Sequence, residues 1–347
     1  RKRRMKKKIL FIVNPISGTN NKKNIVQQID KYLDKEKFDH SIVYTEYAGH
    51  ATELALEAAE SGVDIIVAVG GDGTINEVAR SVVQTSAALG IIPCGSGNGL
   101  ARHLQIPLNV KRNVDIINAC NISNLDCGKI NDKPFFCTCG VGFDAFVSLK
   151  FADSGKRGLL TYLENTLHES LTYQPETYEI ENEEGTMKYK AWLIACGNAS
   201  QYGNDAYIAP QASLTDGLMD VTIMEPFTVL DVPSLSFQLF NKTIDQNSRV
   251  KTMRAKKIKI HRVNDGVMHF DGDPLMAGKE LEVEIVPAGL RVIASEKKKE
   301  KPENPNLLQV ISNYFSGLHL KGEEMMAKRQ SHLFELNRTL LSKLSKK

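Results

Sequence analysis

The sequence predicts an α/β N-terminal domain built on a parallel sheet, then a mostly antiparallel, β-rich second domain, then a helical C-terminal extension. Three observations carry this. Apolar runs and amphipathic segments alternate from residue 8 to about 120, which is the pattern of repeated βα units. Strand-like runs dominate from about 123 to 295. A charged, proline-bearing stretch at 296–306 reads as a linker, and leucines beyond it recur at helical spacing. The expected domains are therefore 8–122, 123–295 and 296–347.

In the first domain, 9–13 reads as a strand and 25–33 as an amphipathic helix. A strand at 41–44 and a strong helix former at 51–59 follow. The run 64–69 is apolar throughout, as expected of a strand buried on both faces, and 75–83 has helical spacing. A last strand is expected at 89–92. In the second domain strands are expected at 133–139, 177–181, 189–195, 219–224, 256–261, 266–270 and 280–286, with helices at 159–171 and 229–240.

The chain has 347 residues, 24% charged and 42% apolar, an ordinary globular composition with length for two domains. A net charge of +3 gives no argument for nucleic acid, and none is expected as a partner. The basic residues are clustered, at Arg1–Lys8 and at 297–301, and the helical extension is also basic. Such clusters favour an anionic membrane surface, so a peripheral attachment to the inner face of the membrane in the cytoplasm is expected. No apolar run reaches the roughly 18 residues that span a bilayer. The six cysteines lack framework spacing and are expected to be reduced. A homodimer is a further expectation for the extension.

The chemistry is concentrated in glycine-rich turns. Gly70-Gly71-Asp72-Gly73-Thr74 follows a buried strand and precedes a helix carrying Ile75, Asn76 and Glu77. Glycines let the backbone approach a ligand, and the helix start offers free N–H groups to an anion. Asp72 in the same turn reads as part of a nucleotide–metal wall. A second glycine turn, Gly95-Ser96-Gly97-Asn98, follows the 89–92 strand. Asn14-Pro15-Ile16-Ser17-Gly18 closes the first strand, and Thr45 ends the second. All four segments fall at the carboxyl edge of one parallel sheet, where such folds bind ligands. Neither a Walker A loop nor a dinucleotide fingerprint occurs. In the second domain, Asp271-Gly272-Asp273 sets two carboxylates around a glycine. By itself it is a hairpin turn; beside a phosphate site it supplies a base for a hydroxyl.

Taken together, these segments resemble the diacylglycerol kinase catalytic-domain family, the bacterial soluble lipid kinases related to sphingosine and ceramide kinases. Cys139-Gly140-Val141-Gly142-Phe143-Asp144-Ala145 and Thr215-Asp216-Gly217-Leu218-Met219-Asp220 belong to the same set, which covers about residues 8–295. The resemblance implies a first domain like those of NAD kinase and phosphofructokinase, with ATP between two domains and a lipid hydroxyl as acceptor. It implies ATP contacts from Asn14, Pro15, Ile16, Ser17, Gly18, Thr45, Gly70, Gly71, Asp72, Gly73, Thr74, Ile75, Asn76, Glu77, Gly95, Ser96 and Asn98. Asp273 would accept the proton, assisted by Asp271. Mg²⁺ would sit on a structural loop with the Asp216 side chain and Ser213 and Leu218, and Lys156 and Arg157 are candidates to reach phosphates. Two departures are visible. Ser96 and Gly99 stand where the family has threonine and aspartate, closer to the sphingosine and ceramide kinase branch. Asp273 stands where many relatives have glutamate. An NAD kinase-like enzyme and a nucleotide-binding regulator without turnover are the alternatives, distinguished by the acceptor that receives labelled phosphate.

Overall fold

The computed structural model describes residues 6–17, 22–95, 97–154, 173–203 and 205–295. The helix expected at 159–171 and the whole 296–347 extension lie outside them. Residues up to 296 form one compact unit.

The first half is built as its alternation predicts. Strands β1 (Lys7–Val13), β2 (Phe38–Tyr44), β3 (Ile65–Gly70) and β4 (Ala88–Pro93) are parallel, in the order β2-β1-β3-β4. Helices α1 (Lys22–Tyr32), α2 (His50–Glu60) and α3 (Asp72–Val82) connect them, and α4 (Gly99–His103) and α5 (Val110–Ala119) follow β4. Both faces of the sheet are covered, and the period of two sorts the side chains. Ile9, Phe11, Val13, Ile65, Val67 and Val69 share a core with Ile25 and Ile29 of α1 and Val114 and Ile117 of α5. Leu10, Ile12, Ile66 and Ala68 pack instead with Ala51, Ala55 and Ala58 of α2 and Ile75, Val78, Ala79 and Val82 of α3.

The second half departs from its sequence reading in an informative way. The run expected as one strand at 133–139 is two, β6 (Lys133–Phe135) and β7 (Thr138–Gly142), with β5 (Ile122–Ile130) before them. The run at 189–195 likewise divides into β9 (Gly185–Ala191), after β8 (Glu176–Asn182), and β10 (Leu193–Gly197). In each case the halves join different sheets. β5, β6, β8 and β9 extend the first sheet, with β13 (Lys257–Arg262) and β16 (Glu280–Ile293), to ten strands. β7 and β10 belong to a six-stranded antiparallel sheet with β11 (Met219–Met224), β12 (Val250–Ala255), β14 (Gly266–Phe270) and β15 (Asp273–Ala277). The two sheets share one core, with Cys139, Val141, Ile194 and Val221 facing Tyr178, Ile258, Ile260 and Val283. A short helix, α7 (Val232–Phe240), packs outside the second sheet, and α6 (Phe143–Ser154) leaves the end of β7.

The long strand β16 fastens the halves together. It pairs with β13 and β5 and ends beside β4, where Val292 opposes Leu89. A bulge between Val286 and Leu290 bends it. Asp126 of β5 is buried at this bend, accepting from the amides of Ala288 (2.8 Å) and Gly217 (2.7 Å).

Arg262 does the corresponding work at the β14–β15 hairpin. Its guanidinium donates to the carbonyls of Gly278 (3.0 Å), Val267 (3.1 Å), Gly266 (2.7 Å) and Ala277 (2.8 Å). Arg262→Met keeps much of the side-chain bulk but leaves these carbonyls unpaired. A loss of about 3 kcal/mol of stability is expected, read as a lower midpoint in urea denaturation at unchanged slope.

Candidate active site

The chain leaves β1 toward β2 on one side and returns as β3 on the other, so the loops after β1 and β3 lie side by side at the carboxyl edge. Asn14 joins them. Its backbone N–H donates to Val69 O (3.0 Å) and its side-chain amide to Thr74 Oγ1 (3.0 Å). Its Oδ1 accepts from the amide of Ile16 (3.1 Å), and Ser17 donates its hydroxyl to the Asn14 carbonyl (3.1 Å), making a tight turn. Pro15 and Ile16 are exposed on that turn. Thr45 is buried against it, its N–H on Val13 O at 2.9 Å. Gly18 and Ser96 lie outside the described residues.

Helix α3 begins at Asp72, earlier than its spacing predicts, so the glycine turn is the helix N-terminus itself. Gly71 is the N-cap and provides no side-chain cap. The glycines divide by cause. A Cβ on Gly70 would lie 2.6 Å from the Thr74 side chain, and one on Gly95 would lie 2.8 Å from Gly71 Cα. The two glycine loops thus pack backbone against backbone. A Cβ on Gly73 would meet nothing within 4 Å, so packing does not demand that glycine.

The acids of these loops hold the loops. Asp72 accepts from the amides of Asn98 (2.7 Å) and Gly99 (2.8 Å), bracketing the second glycine loop to the first. Burial pushes its carboxyl upward, against the pull of those amides and of Arg102. Glu77 accepts from the amides of Gly49 (3.2 Å) and Ala51 (3.1 Å), capping α2. Asn98 takes a left-handed conformation (φ 54°) and closes its own loop on the Gly95 N–H (3.0 Å) and carbonyl (2.6 Å). Ile75 packs in the core, and Asn76 is buried.

Asp271 and Gly272 form a two-residue hairpin turn between β14 and β15, with φ of 53° at Asp271 and 87° at Gly272, and Asp273 opens β15. Its two carboxylates have different fates. Asp271 is buried and accepts from the successive amides of Phe136 (2.9 Å), Cys137 (2.7 Å) and Thr138 (3.2 Å). Burial pushes its carboxyl up, opposed by Arg80 and those amides. The Asp273 side chain is 51% exposed, and its Oδ2 meets Arg80 Nη1 at 2.7 Å. Arg80 is the site residue that sequence reasoning missed. It sits in the last turn of α3, where a basic residue is ordinary, and its partner lies 193 positions away.

A second missed group is Asp144. It lines a pocket of about 100 Å³ with Trp192, Leu193, Ile208, Leu235 and Leu239. Tyr202 donates to Asp144 Oδ2 at 2.9 Å, and His269 Nε2 lies 3.0 Å from the same oxygen. His269 stands two residues before the Asp271 turn, so this wall connects to the turn along β14. The Asp144 motif was visible, but only the fold shows it at the bottom of an otherwise apolar pocket.

In the 213–218 turn the Asp216 carboxylate has protein partners on both oxygens. Asp216 Oδ1 accepts from the Leu218 amide (3.1 Å), and its Oδ2 is bound by Arg254, which also reaches Asp220 Oδ1 at 3.4 Å. The Ser213 hydroxyl faces Thr215 Oγ1 at 3.4 Å. Among the described residues no group of three or more His, Cys, Asp or Glu side chains could hold a metal. Lys156 and Arg157 lie outside the described residues. No helix among those described is long and apolar enough to cross a membrane.

Comparison with known proteins gives the family and the fold. Residues 8–130 match the diacylglycerol kinase catalytic domain, and 137–294 match the YegS C-terminal NAD kinase beta sandwich-like domain. The chain is 30% identical over 250 residues to the probable lipid kinase YegS of Salmonella arizonae, covering 70% of this chain and 82% of that one. The probable lipid kinase YegS of Escherichia fergusonii gives the same identity and coverage. A solved structure of a diacylglycerol kinase from Bacillus anthracis str. Sterne shares the fold, with a TM-score of 0.66 at 21% identity, covering 83% of this chain and 97% of that one. On the extent of the YegS match, this chain belongs to the diacylglycerol kinase catalytic-domain family of lipid kinases.

Proposed function

We propose that this enzyme transfers the γ-phosphoryl group of ATP to a hydroxyl of a lipid bearing a long acyl or alkyl chain. The observation that carries the reading is the junction at α3. The helix whose N-terminus forms the paired glycine loops also holds, through Arg80, the half-exposed Asp273 carboxylate. Phosphoryl transfer asks the protein for little beyond that: a cradle for phosphates, a base for the hydroxyl and exclusion of water.

The triphosphate lies on the amides at the start of α3 and along the second glycine loop. Asn14, Thr45 and Thr74 shape the adjoining wall, where ribose and phosphate oxygens find donors. A Mg²⁺ ion that travels with the triphosphate neutralises its charge. The acyl chain enters the pocket beside Trp192 and Leu239, and Asp144 meets the polar end of the lipid. A predominantly apolar lining with one convergent polar group suits an alkyl chain that ends in a hydroxyl. Asp273 takes the hydroxyl proton as the oxygen attacks the γ-phosphorus and ADP departs.

Three outcomes are expected. Asp273→Ala abolishes transfer of labelled phosphate to lipid, by about a thousandfold or more, while ATP affinity measured by calorimetry changes only a few-fold. Near-normal turnover in that variant would remove Asp273 as base. Gly95→Ala pushes the two glycine loops apart and weakens ATP binding by about tenfold, which the same titration reads. Leu239→Trp fills the acyl pocket, raising KM for long-chain acceptors by about tenfold with ATP binding retained; equal KM values for wild type and variant would place the chain elsewhere. Thin-layer assay with diacylglycerol, ceramide, sphingosine and NAD as acceptors tests the reading as a whole. Phosphorylation of NAD and of no lipid overturns it.

A further inference from the structure

We propose that Arg80 is a positioning residue for the Asp273 carboxylate, and that α3 is the spacer that fixes the distance between that carboxylate and the phosphate-binding turn. The inference rests on the proposed function, because it gives Asp273 work only if Asp273 is the base.

A basic residue in the last turn of a helix normally faces water and complements the helix dipole. Arg80 does something else. Its side chain is only 21% exposed, and it touches three of the four residues of the 270–273 turn. Nη1 donates to Asp273 Oδ2 at 2.7 Å, and Nη2 lies 3.4 Å from the Phe270 carbonyl and 4.0 Å from Asp271 Oδ2. The guanidinium carbon stands 4.6 Å from the centroid of the Phe270 ring. Phe270 and Asp273 are the pair that closes the hairpin, so one planar cation grips both sides of the turn. The grip has a cost, since Arg80 Nε is buried without a partner. An ion pair that only decorated the surface would not retain that cost.

Chemistry explains the retention. An aspartate base has one fewer methylene than a glutamate, so it reaches less far and depends more on where its turn is held. Arg80 holds Oδ2 and leaves Oδ1, which has no hydrogen bond among the described residues, to receive the proton. From Asp72 to Arg80 the helix rises by roughly 12 Å, at about 1.5 Å per residue. A helix packed on the sheet at Ile75, Val78, Ala79 and Val82 does not flex over that length. Base and phosphate cradle are therefore carried on one rigid element, although they belong to different halves of the fold. When the hydroxyl oxygen bonds to the γ-phosphorus, its proton passes to Asp273 Oδ1, the phosphorus–oxygen bond to ADP breaks, and ADP leaves with the electron pair. Arg80 touches none of these atoms and acts through Asp273.

The rival role is purely structural: a counter-ion for the buried Asp271. Four forms of the full chain separate the two roles: Arg80→Ala, Arg80→Lys, Asp273→Asn, and Arg80→Ala with Asp273→Asn. Each is assayed with ATP and the acceptor that the wild type phosphorylates best among detergent-dispersed diacylglycerol, ceramide and sphingosine. Arg80→Ala is expected to lower kcat by about tenfold or more while KM for ATP stays within about threefold. Arg80→Lys recovers part of the loss, and millimolar methylguanidinium recovers part of it in Arg80→Ala but none in Asp273→Asn. The double variant is no slower than Asp273→Asn alone, because the arginine has nothing left to position. Losses that multiply in the double variant, or an Arg80→Ala defect that methylguanidinium leaves untouched and that tracks a lowered melting temperature, overturn the inference in favour of the structural role. An active Arg80→Ala beside an inactive Asp273→Asn overturns it while the proposed function stands. A wild type that phosphorylates NAD and no lipid removes both.

Discussion

Three successive amides, of Phe136, Cys137 and Thr138, converge on the buried Asp271 carboxylate, and much of the second half is arranged around that contact. Amides aimed at one point cannot also continue a ladder, so the strand run breaks there. β6 ends in one sheet and β7 begins in the other, and the chain passes between the layers of the sandwich at the point where it grips the hairpin. The Asp271 N–H returns the contact to the Thr138 carbonyl at 2.7 Å. A buried carboxylate is tolerated because amides and a nearby guanidinium replace its water. The consequence is positional: the turn that carries Asp273 is pinned at its first residue to the core of the protein.

The motif acids separate by this logic. Asp72, Glu77 and Asp271 each accept from two or more backbone amides, and Asp216 from one amide and Arg254. They close loops, cap a helix and anchor a turn. Asp273 differs in keeping half its surface exposed and, among the described residues, one oxygen without a hydrogen bond. Residue types that look alike in the sequence are thus divided between holding loops and remaining open to solvent, and only burial among distant partners decides which.

The strand β16 makes the cleft a fixed shape. Its first half closes the sandwich and its second half lies beside the parallel sheet, so the glycine loops and the 271–273 turn are built on one continuous sheet system. Arg80 adds a side-chain link across the same gap. The apolar pocket joins this framework through Asp144 and His269, on the strand that leads into the turn. The glycine loops, the Asp273 turn and this pocket are therefore tied together by short polar contacts, each a few residues from an apolar core.

By itself the sequence determined the elements with strong local signals. β1, β3 and β4 were legible because a sheet buried on both faces leaves unbroken apolar runs, and α2 because alanines and glutamates recur at helical spacing. The glycine turns were legible because a Cβ at Gly70 or Gly95 would meet the neighbouring loop, and the Asp-Gly dipeptide because few residues tolerate the left-handed conformation at Asp271 and Gly272. Only the tertiary structure decided how the pieces were used. It divided 133–139 and 189–195 between two sheets, a choice made by Asp271 and by layer packing far from either run. It assigned Asp72 to the Asn98 and Gly99 amides, occupied Asp216 with Arg254, and brought Arg80 across 193 residues to Asp273. Local pattern reports what a backbone can do. Which carboxylate is buried and which is free depends on partners that are distant in sequence, and only the folded chain brings them together.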